Sequence, residues 1–218
     1  MLVIRAAGVY RPQADTHLLI AAMTDAGIPP HGRVLDVGTG TGVLAIEAAR
    51  LQAGSVTAVD ISRAALACAW MNSRLRGLEV ELIHGDFRSV LRGRRFEVVI
   101  SNPPYVPCAD SGPPRGAARC WDAGVDGRAA VDSLCRLAPE LLSTTGTLLM
   151  VHSALCGVDD TLIGLREVGL KAATVARASV PFGPVLRRRA RWLVDRGLLG
   201  PGQSHEELVV IRADRTRK

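Results

Sequence analysis

Residues 34–42, Val-Leu-Asp-Val-Gly-Thr-Gly-Thr-Gly, constrain the fold more than any other stretch of the chain. Val34, Leu35 and Val37 are apolar and β-prone, as a buried central strand of a parallel sheet requires. Gly38, Gly40 and Gly42 stand at alternate positions, where they let the backbone turn sharply and let a ligand approach it. The following run, Val43–Arg50, has helical character, with Leu44, Ala48 and Leu51 on one face. A helix start aimed at a glycine turn is a site for polar or anionic ligand groups. Many nucleotide-binding folds use such a turn, so the rest of the chain decides which ligand is meant.

The remaining pattern alternates strands and helices. Residues 1–14 read as irregular, with a short strand at Leu2–Arg5. Asp15 or Thr16 is placed to cap a helix over Leu18–Ala26, closed by Gly27 and Pro29. Strands are predicted at Arg33–Val37, Ser55–Val59, Glu79–His84, Phe96–Ser101, Thr147–His152, Ala172–Ser179 and Glu207–Arg212. Helices are predicted at Gly42–Gln52, Arg63–Arg76 (capped by Ser62), Gly127–Leu142, Asp159–Val168 and Val185–Leu198. Pro139 should kink or shorten the helix that contains it. A Pro- and Gly-rich loop, Val106–Val125, follows the fourth strand. This alternation predicts an α/β fold, a doubly wound and mostly parallel sheet, in one domain over residues 1–218. Ligands of such sheets sit at the carboxyl ends of the strands. Gly38–Gly42, Asp60, Asp86 and Asn102–Tyr105 all fall there.

Each of these positions has a chemistry. Asp60 closes the second strand, where a carboxylate can accept from both hydroxyls of a ribose, of NAD as readily as of another nucleoside. Asp86 ends the third strand and can accept from an adenine amino group, with Phe87 against the ring. As bland alternatives, Asp60 is a loop acid and Asp86 a turn former. In Asn102-Pro103-Pro104-Tyr105, two prolines fix the backbone and remove two N–H donors. The Asn102 side-chain oxygen and the Pro103 carbonyl can then both accept from one planar NH2 group. Tyr105 adds an aromatic face or a hydroxyl. Such a site holds an amide or an aryl amine.

These motifs together resemble the class I S-adenosylmethionine-dependent methyltransferases that modify a planar nitrogen. The closer resemblance is to the HemK-like release-factor glutamine N5-methyltransferases, in the short branch without the N-terminal helical domain. Residues 8–19, with Tyr10, Pro12, Asp15, Thr16, Leu18 and Leu19, are similar to that branch's Tyr-x-Pro-x-x-Asp-Thr-x-Leu-Leu segment. Residues 121–128, Trp-Asp-Ala-Gly-Val-Asp-Gly-Arg, are similar to its Trp-x-Gly-Gly-x-Asp-Gly-Arg stretch. The resemblance implies a seven-stranded Rossmann-like sheet with a reversed last strand and S-adenosylmethionine as methyl donor. It implies donor contacts at Thr16, Asp36, Gly38, Gly40, Asp60, Asp86, Phe87 and Asn102. Asn102, Pro103, Pro104 and Tyr105 would hold the glutamine, with Asn102, Pro103 and Tyr105 acting on the reacting nitrogen. It also implies a release factor as protein substrate and, in some members, a small zinc-binding activator subunit. The Asn-Pro-Pro-aromatic motif is shared with adenine- and guanine-N-methyltransferases, so a nucleic-acid base is the competing acceptor. The segment from Arg187 to Gly202 is longer than this resemblance leads one to expect.

Charge and cysteine content add limits. The net charge of +6 is carried almost wholly by arginine; Lys171 and Lys218 are the only lysines. A basic chain favours RNA or an acidic partner without choosing between them. Arg187, Arg188 and Arg191 read as the solvated face of an amphipathic helix, with Leu186, Ala190, Leu193 and Val194 turned inward. Trp121 serves either as a pocket wall or as packing. The five cysteines show no C-x-x-C spacing, and the five histidines show no metal spacing, so no metal site is expected. No apolar run spans a membrane and no secretory pattern opens the chain, which points to a reducing cytoplasm.

Overall fold

The computed structural model describes residues 2–110, 112 and 114–216. Seven strands form one sheet: β1 (Arg33–Val37), β2 (Ser55–Asp60), β3 (Glu81–His84), β4 (Phe96–Ser101), β5 (Leu142–Ser153), β6 (Leu170–Pro181) and β7 (His205–Arg215). Their spatial order is β3-β2-β1-β4-β5-β7-β6. The pairings among β1 to β5 are parallel, whereas β7 runs antiparallel between β5 and β6. The helices are α1 (Ala14–Ala26), α2 (Val43–Arg50), α3 (Arg63–Arg74), the single turn α4 (Phe87–Val90), α5 (Ala129–Leu141), α6 (Val158–Glu167) and α7 (Pro184–Asp195). This is the doubly wound arrangement that the alternating pattern predicts, with the reversed last strand that the resemblance implies.

Two apolar layers cover the sheet. On one face Leu19 and Met23 of α1 and Leu44 and Ala48 of α2 pack on Val34, Val56, Val98 and Leu149. On the other, Val131, Leu134 and Ala138 of α5 and Leu165 of α6 pack on Leu35, Val99, Leu148 and Val209. Alternation along each strand sends successive residues to opposite layers, so both faces are apolar, as a covered parallel sheet requires.

The elements depart from expectation where a side chain or a packing contact overrides local pattern. Leu2–Arg5 is not a strand: the buried Asn72 side chain of α3 accepts from the Ile4 N–H and donates to the Ile4 carbonyl, both at 2.8 Å. These bonds take the place of a strand partner. Asp15 and Thr16 do not cap α1 from outside; they lie in its first turn, and Gln13 is the N-cap. Ser62 does cap α3, accepting from the Ala65 N–H. Pro139 lies in the last turn of α5, where it forfeits one helical hydrogen bond, and the helix runs on to Leu141. β6 and β7 are longer than predicted, because their antiparallel pairing runs from Leu170–Arg215 to Pro181–His205, and β5 starts earlier, at Leu142, which pairs with Phe96 of β4. β3 is shorter, starting at Glu81. α4 is only four residues long, too short for a periodic signal.

The loop Val106–Val125, of which Ser111 and Pro113 lie outside the described residues, is folded back on itself. Val106 and Cys108 donate to the carbonyls of Trp121 and Gly124, and Ala123 donates to Val106, at 2.7–3.1 Å. A 3-10 turn at Gly116–Cys120 lies within it. α7 holds this loop from outside. Arg189 pairs with Asp122 at 2.6 Å and donates to the Pro107 carbonyl at 3.0 Å. Leu186 and Leu193 are buried with Val106, Phe182 and Leu199, and Trp121 packs against that cluster. Arg187, Arg188 and Arg191 are exposed, as the amphipathic reading requires.

Candidate active site

The carboxyl ends of β1, β2 and β4 lie side by side, because β1 pairs with both neighbours in register. The three glycines after β1 have different tasks. All have positive φ, of 73°, 55° and 82° for Gly38, Gly40 and Gly42. A Cβ at Gly42 would lie 2.9 Å from Ala69 of α3, so this glycine permits close packing of the turn on that helix. A Cβ at Gly38 would meet nothing, and one at Gly40 only the Gly38 carbonyl at 4.0 Å. Those two therefore leave open space over the turn, where a bound molecule can approach the backbone.

Asp36 organises the turn from below. It is fully buried, and its Oδ2 accepts from the Thr39 hydroxyl at 2.6 Å and from the Ala45 N–H at 3.1 Å. Its Oδ1 is buried without a partner. Burial pushes the carboxyl up to about 7, only partly offset by those two donors. A free oxygen on a buried acid is suited to a cationic group supplied by a ligand. Asp60 closes β2 and binds back to the turn, accepting from the Gly40 N–H at 2.9 Å and the Ser62 N–H at 2.8 Å. Burial raises its pKa, and the two N–H bonds work against that. Each of its oxygens keeps a lone pair for a hydroxyl. The residues thus fit a ligand carrying an ammonium group and a ribose.

Asp86 is more heavily engaged than its predicted role requires. It caps α4 by accepting from the Arg88 N–H at 2.9 Å, and the Arg88 Nε donates to both its oxygens at 2.9 Å. The Arg88 guanidinium holds this carboxyl below the usual range. Phe87, beside it, is half-buried against the apolar layer of α5.

β4 runs directly into the Asn102–Tyr105 loop. Ser101 is anchored by its hydroxyl to the Val37 carbonyl at 2.9 Å, and Asn102 follows directly. The Asn102 Nδ2 donates to the Thr16 hydroxyl at 3.4 Å, which leaves its Oδ1 free to accept. Pro103 is buried and Pro104 half-buried, so the loop has no N–H at either position. Tyr105 donates its hydroxyl to Asp15 Oδ2 at 3.0 Å, and its carbonyl accepts from the Cys156 thiol at 2.9 Å. Gly127 (φ 74°) lies so close that a Cβ there would stand 2.4 Å from the Tyr105 carbonyl. The 121–128 stretch is thereby a second support of the Asn102–Tyr105 loop.

The structure brings Thr16, Asn102 and Tyr105 into one hydrogen-bonded group and joins Asp36, Gly40 and Asp60 through the glycine turn. Asp86 and Phe87 stand at the next strand end. Sequence reasoning missed Asp15 as a hub, Tyr10 beside it, and Glu206 on β7. The first two lay in the quoted 8–19 segment; Glu206 had no local signal. Among the described residues no group of His, Cys, Asp and Glu could hold a metal ion. No helix there is long and apolar enough to cross a membrane.

Comparison with known proteins bears on the class. A family model described as methyltransferase small domain matches residues 2–112. A Methanocaldococcus jannaschii protein described as a protein N5-glutamine methyltransferase is 30% identical over 80% of this chain and 87% of its own length. The release factor glutamine methyltransferase of Bordetella pertussis is 34% identical, over 75% of this chain and 63% of its own length. That of Shewanella oneidensis is 31% identical, over 65% and 52%. The chain therefore spans between about half and two thirds of these bacterial relatives. Among solved structures, the E. cuniculi Mtq2–Trm112 complex, responsible for methylating the eRF1 termination factor, superposes with a TM-score of 0.68. It is 22% identical and covers 96% of this chain and 99% of that one. A T. thermophilus 16S rRNA guanine-N2 methyltransferase, solved with AdoMet and guanosine, gives 0.61 at 16% identity, over 94% of this chain and 44% of that one. These two show the fold; the family match and the Methanocaldococcus relative show that this chain belongs to the small-domain methyltransferases, in their protein-glutamine N5-methyltransferase group.

Proposed function

We propose that this chain transfers a methyl group from S-adenosylmethionine to the side-chain nitrogen of a glutamine in a peptide-chain release factor. The observation that carries this is the Asn102–Thr16 hydrogen bond, which engages the amide nitrogen and leaves the Asn102 oxygen free beside a loop without N–H donors at 103 and 104. Two acceptors, the Asn102 Oδ1 and the Pro103 carbonyl, then suit the two hydrogens of one planar NH2 group. An amide lone pair is delocalised and weakly nucleophilic. Holding both N–H bonds on acceptors orients that lone pair and stabilises positive charge developing on nitrogen. Tyr105 walls the amide with its ring. The donor is S-adenosylmethionine, whose sulfonium supplies an electrophilic methyl group. Gly38 and Gly40 give it room, Asp60 takes its ribose, the free Oδ1 of Asp36 answers its ammonium group, and Thr16 borders it. Asp86 and Phe87 take the adenine once Arg88 swings outward. No general base is required if the nitrogen sheds its proton after transfer.

A small activator subunit is part of this reading. Its support is the partner in the Mtq2 complex together with an unpaired edge at β3, the end strand of the sheet. Beside that edge, α3 and its C-cap leave Trp70 and Leu75 more than half exposed. The test is methyl transfer from labelled S-adenosylmethionine to a release factor and to an adenine-containing oligonucleotide, side by side. Label on a release-factor glutamine is the expected result. Label on the oligonucleotide alone would replace the protein acceptor with a base.

A further inference from the structure

Behind the acceptor loop lies a buried cluster of acids and phenols that donor binding does not use. Asp15, 3% exposed, accepts four hydrogen bonds. Tyr10 and Tyr105 donate to its Oδ2 at 2.6 and 3.0 Å. The Thr16 N–H and hydroxyl donate to its Oδ1 at 2.6 and 3.2 Å. Four donors converging on two oxygens is the pattern of a carboxylate. Among the described residues no arginine or lysine forms an ion pair with it. Glu206, the second residue of β7, is 8% exposed and stands near enough to act electrostatically on Asp15, Tyr10 and Tyr105. Its Oε2 is buried without a hydrogen-bond partner, and the Ser153 hydroxyl at the end of β5 is close enough to work against the effect of burial on its pKa.

Resting on the acceptor-site reading above, we propose that Asp15 and Glu206 are positioning residues for the methyl acceptor. Asp15 fixes Tyr105 and, through Thr16, the Asn102 amide; Glu206 holds the proton that allows a second acid beside Asp15. Two neighbouring buried carboxyls resist double ionisation. The groups that face Glu206 are Asp15 from α1, Tyr10 from the N-terminal segment, Tyr105 from the acceptor loop, Ser153 from β5 and the Cys156 thiol after it. None is cationic. Burial, with the charge of Asp15 added, pushes Glu206 up to about 7. Below that pH Glu206 is neutral and the Asp15 hub is undisturbed. Above it, a second negative charge enters the cluster and loosens the hold on Tyr105.

The test compares the kcat–pH profiles of the wild type, Glu206→Gln and Asp15→Asn on a glutamine acceptor, with donor affinity measured alongside. The wild type should lose kcat as pH rises through about 7, and Glu206→Gln, neutral at every pH, should lack that limb. Asp15→Asn should lower kcat by about tenfold or more, the loss expected for hydrogen bonds to a charged group, with donor affinity retained. If Glu206→Gln keeps the wild-type profile, or Asp15→Asn keeps full kcat, while Asn102→Ala abolishes transfer, the positioning proposal fails alone. If Asn102→Ala is fully active as well, the acceptor-site reading itself fails. Thermal denaturation guards against misfolding: Glu206→Gln should be more stable than wild type at pH 8, and a less stable variant would contradict a strained Glu206 charge.

Discussion

At the scale of single residues, the site is built from acids whose oxygens are already partly committed. Asp60 ties the glycine turn to β2, and on the proposed reading its remaining lone pairs take a ribose. Asp60→Ala should therefore weaken S-adenosylmethionine binding by about 1.5–3 kcal/mol, the usual worth of hydrogen bonds to a charged group, in a protein that still folds. Isothermal calorimetry reads this directly; unchanged affinity would remove Asp60 from the donor site. Asp86 stands just after β3, and its oxygens are already occupied by Arg88. Its position at the end of β3 follows from sequence, but its bonds to Arg88 do not, since Arg88 is a short-range partner that only side-chain geometry reveals. Asp15 is the opposite case. Sequence offers it as a helix cap, and the structure instead buries it under two tyrosines that are five and ninety residues away.

Among the elements, α7 carries the clearest consequence. Its exposed Arg187, Arg188 and Arg191 touch nothing in the described chain that needs their charge, whereas Arg189 clamps Asp122 and Pro107 of the long loop. Replacing Arg187, Arg188 and Arg191 with Gln should leave activity near wild type at every salt concentration. A fall in affinity with a weaker salt dependence would instead assign them to an anionic partner. Arg189→Ala should lower turnover and raise protease sensitivity of the 106–125 loop. An unchanged loop and full turnover would show that α7 does not support the site. The elements also show what sequence could carry. Strand β1, its glycine turn and α2 were legible because apolar alternation, turn chemistry and helix periodicity agree over one short stretch. The reversal of β7 was implied by resemblance rather than by any local pattern, and its place between β5 and β6 comes from the structure. Its register, which brings Glu206 to the carboxyl edge opposite Val180, is set by pairing with β6 and with β5, strands that no local pattern in β7 specifies. The clamp between Arg189 and Asp122 was invisible for the same reason: nothing in either neighbourhood specifies a partner in the other.

For the whole molecule, two buried acids, Asp36 and Glu206, both pushed up to about 7, link stability to pH. Each is raised above its unfolded value, so its contribution is fully present below about pH 4 and is lost as pH rises through about 7. The loss is on the order of 3 kcal/mol for each group. Glu97, held down to about 2 by Arg33, acts in the other direction and loses its contribution as pH falls from about 4.5 towards 2. The ligand-free protein should therefore have its highest melting temperature in mildly acidic solution and melt earlier at pH 8. A flat profile between pH 5 and 8 would contradict the burial of both acids. On the proposed reading the donor lies over the ends of β1, β2 and β3 and the acceptor at the end of β4, so one should be separable from the other. The most direct test is Asn102→Ala, with donor affinity measured by calorimetry and methyl transfer to a glutamine acceptor measured in a single turnover. Donor affinity should stay close to wild type while the transfer rate falls on the order of a hundredfold, as for loss of one preorganised electrostatic partner. Full transfer by the variant would contradict the assignment of Asn102 to the acceptor nitrogen.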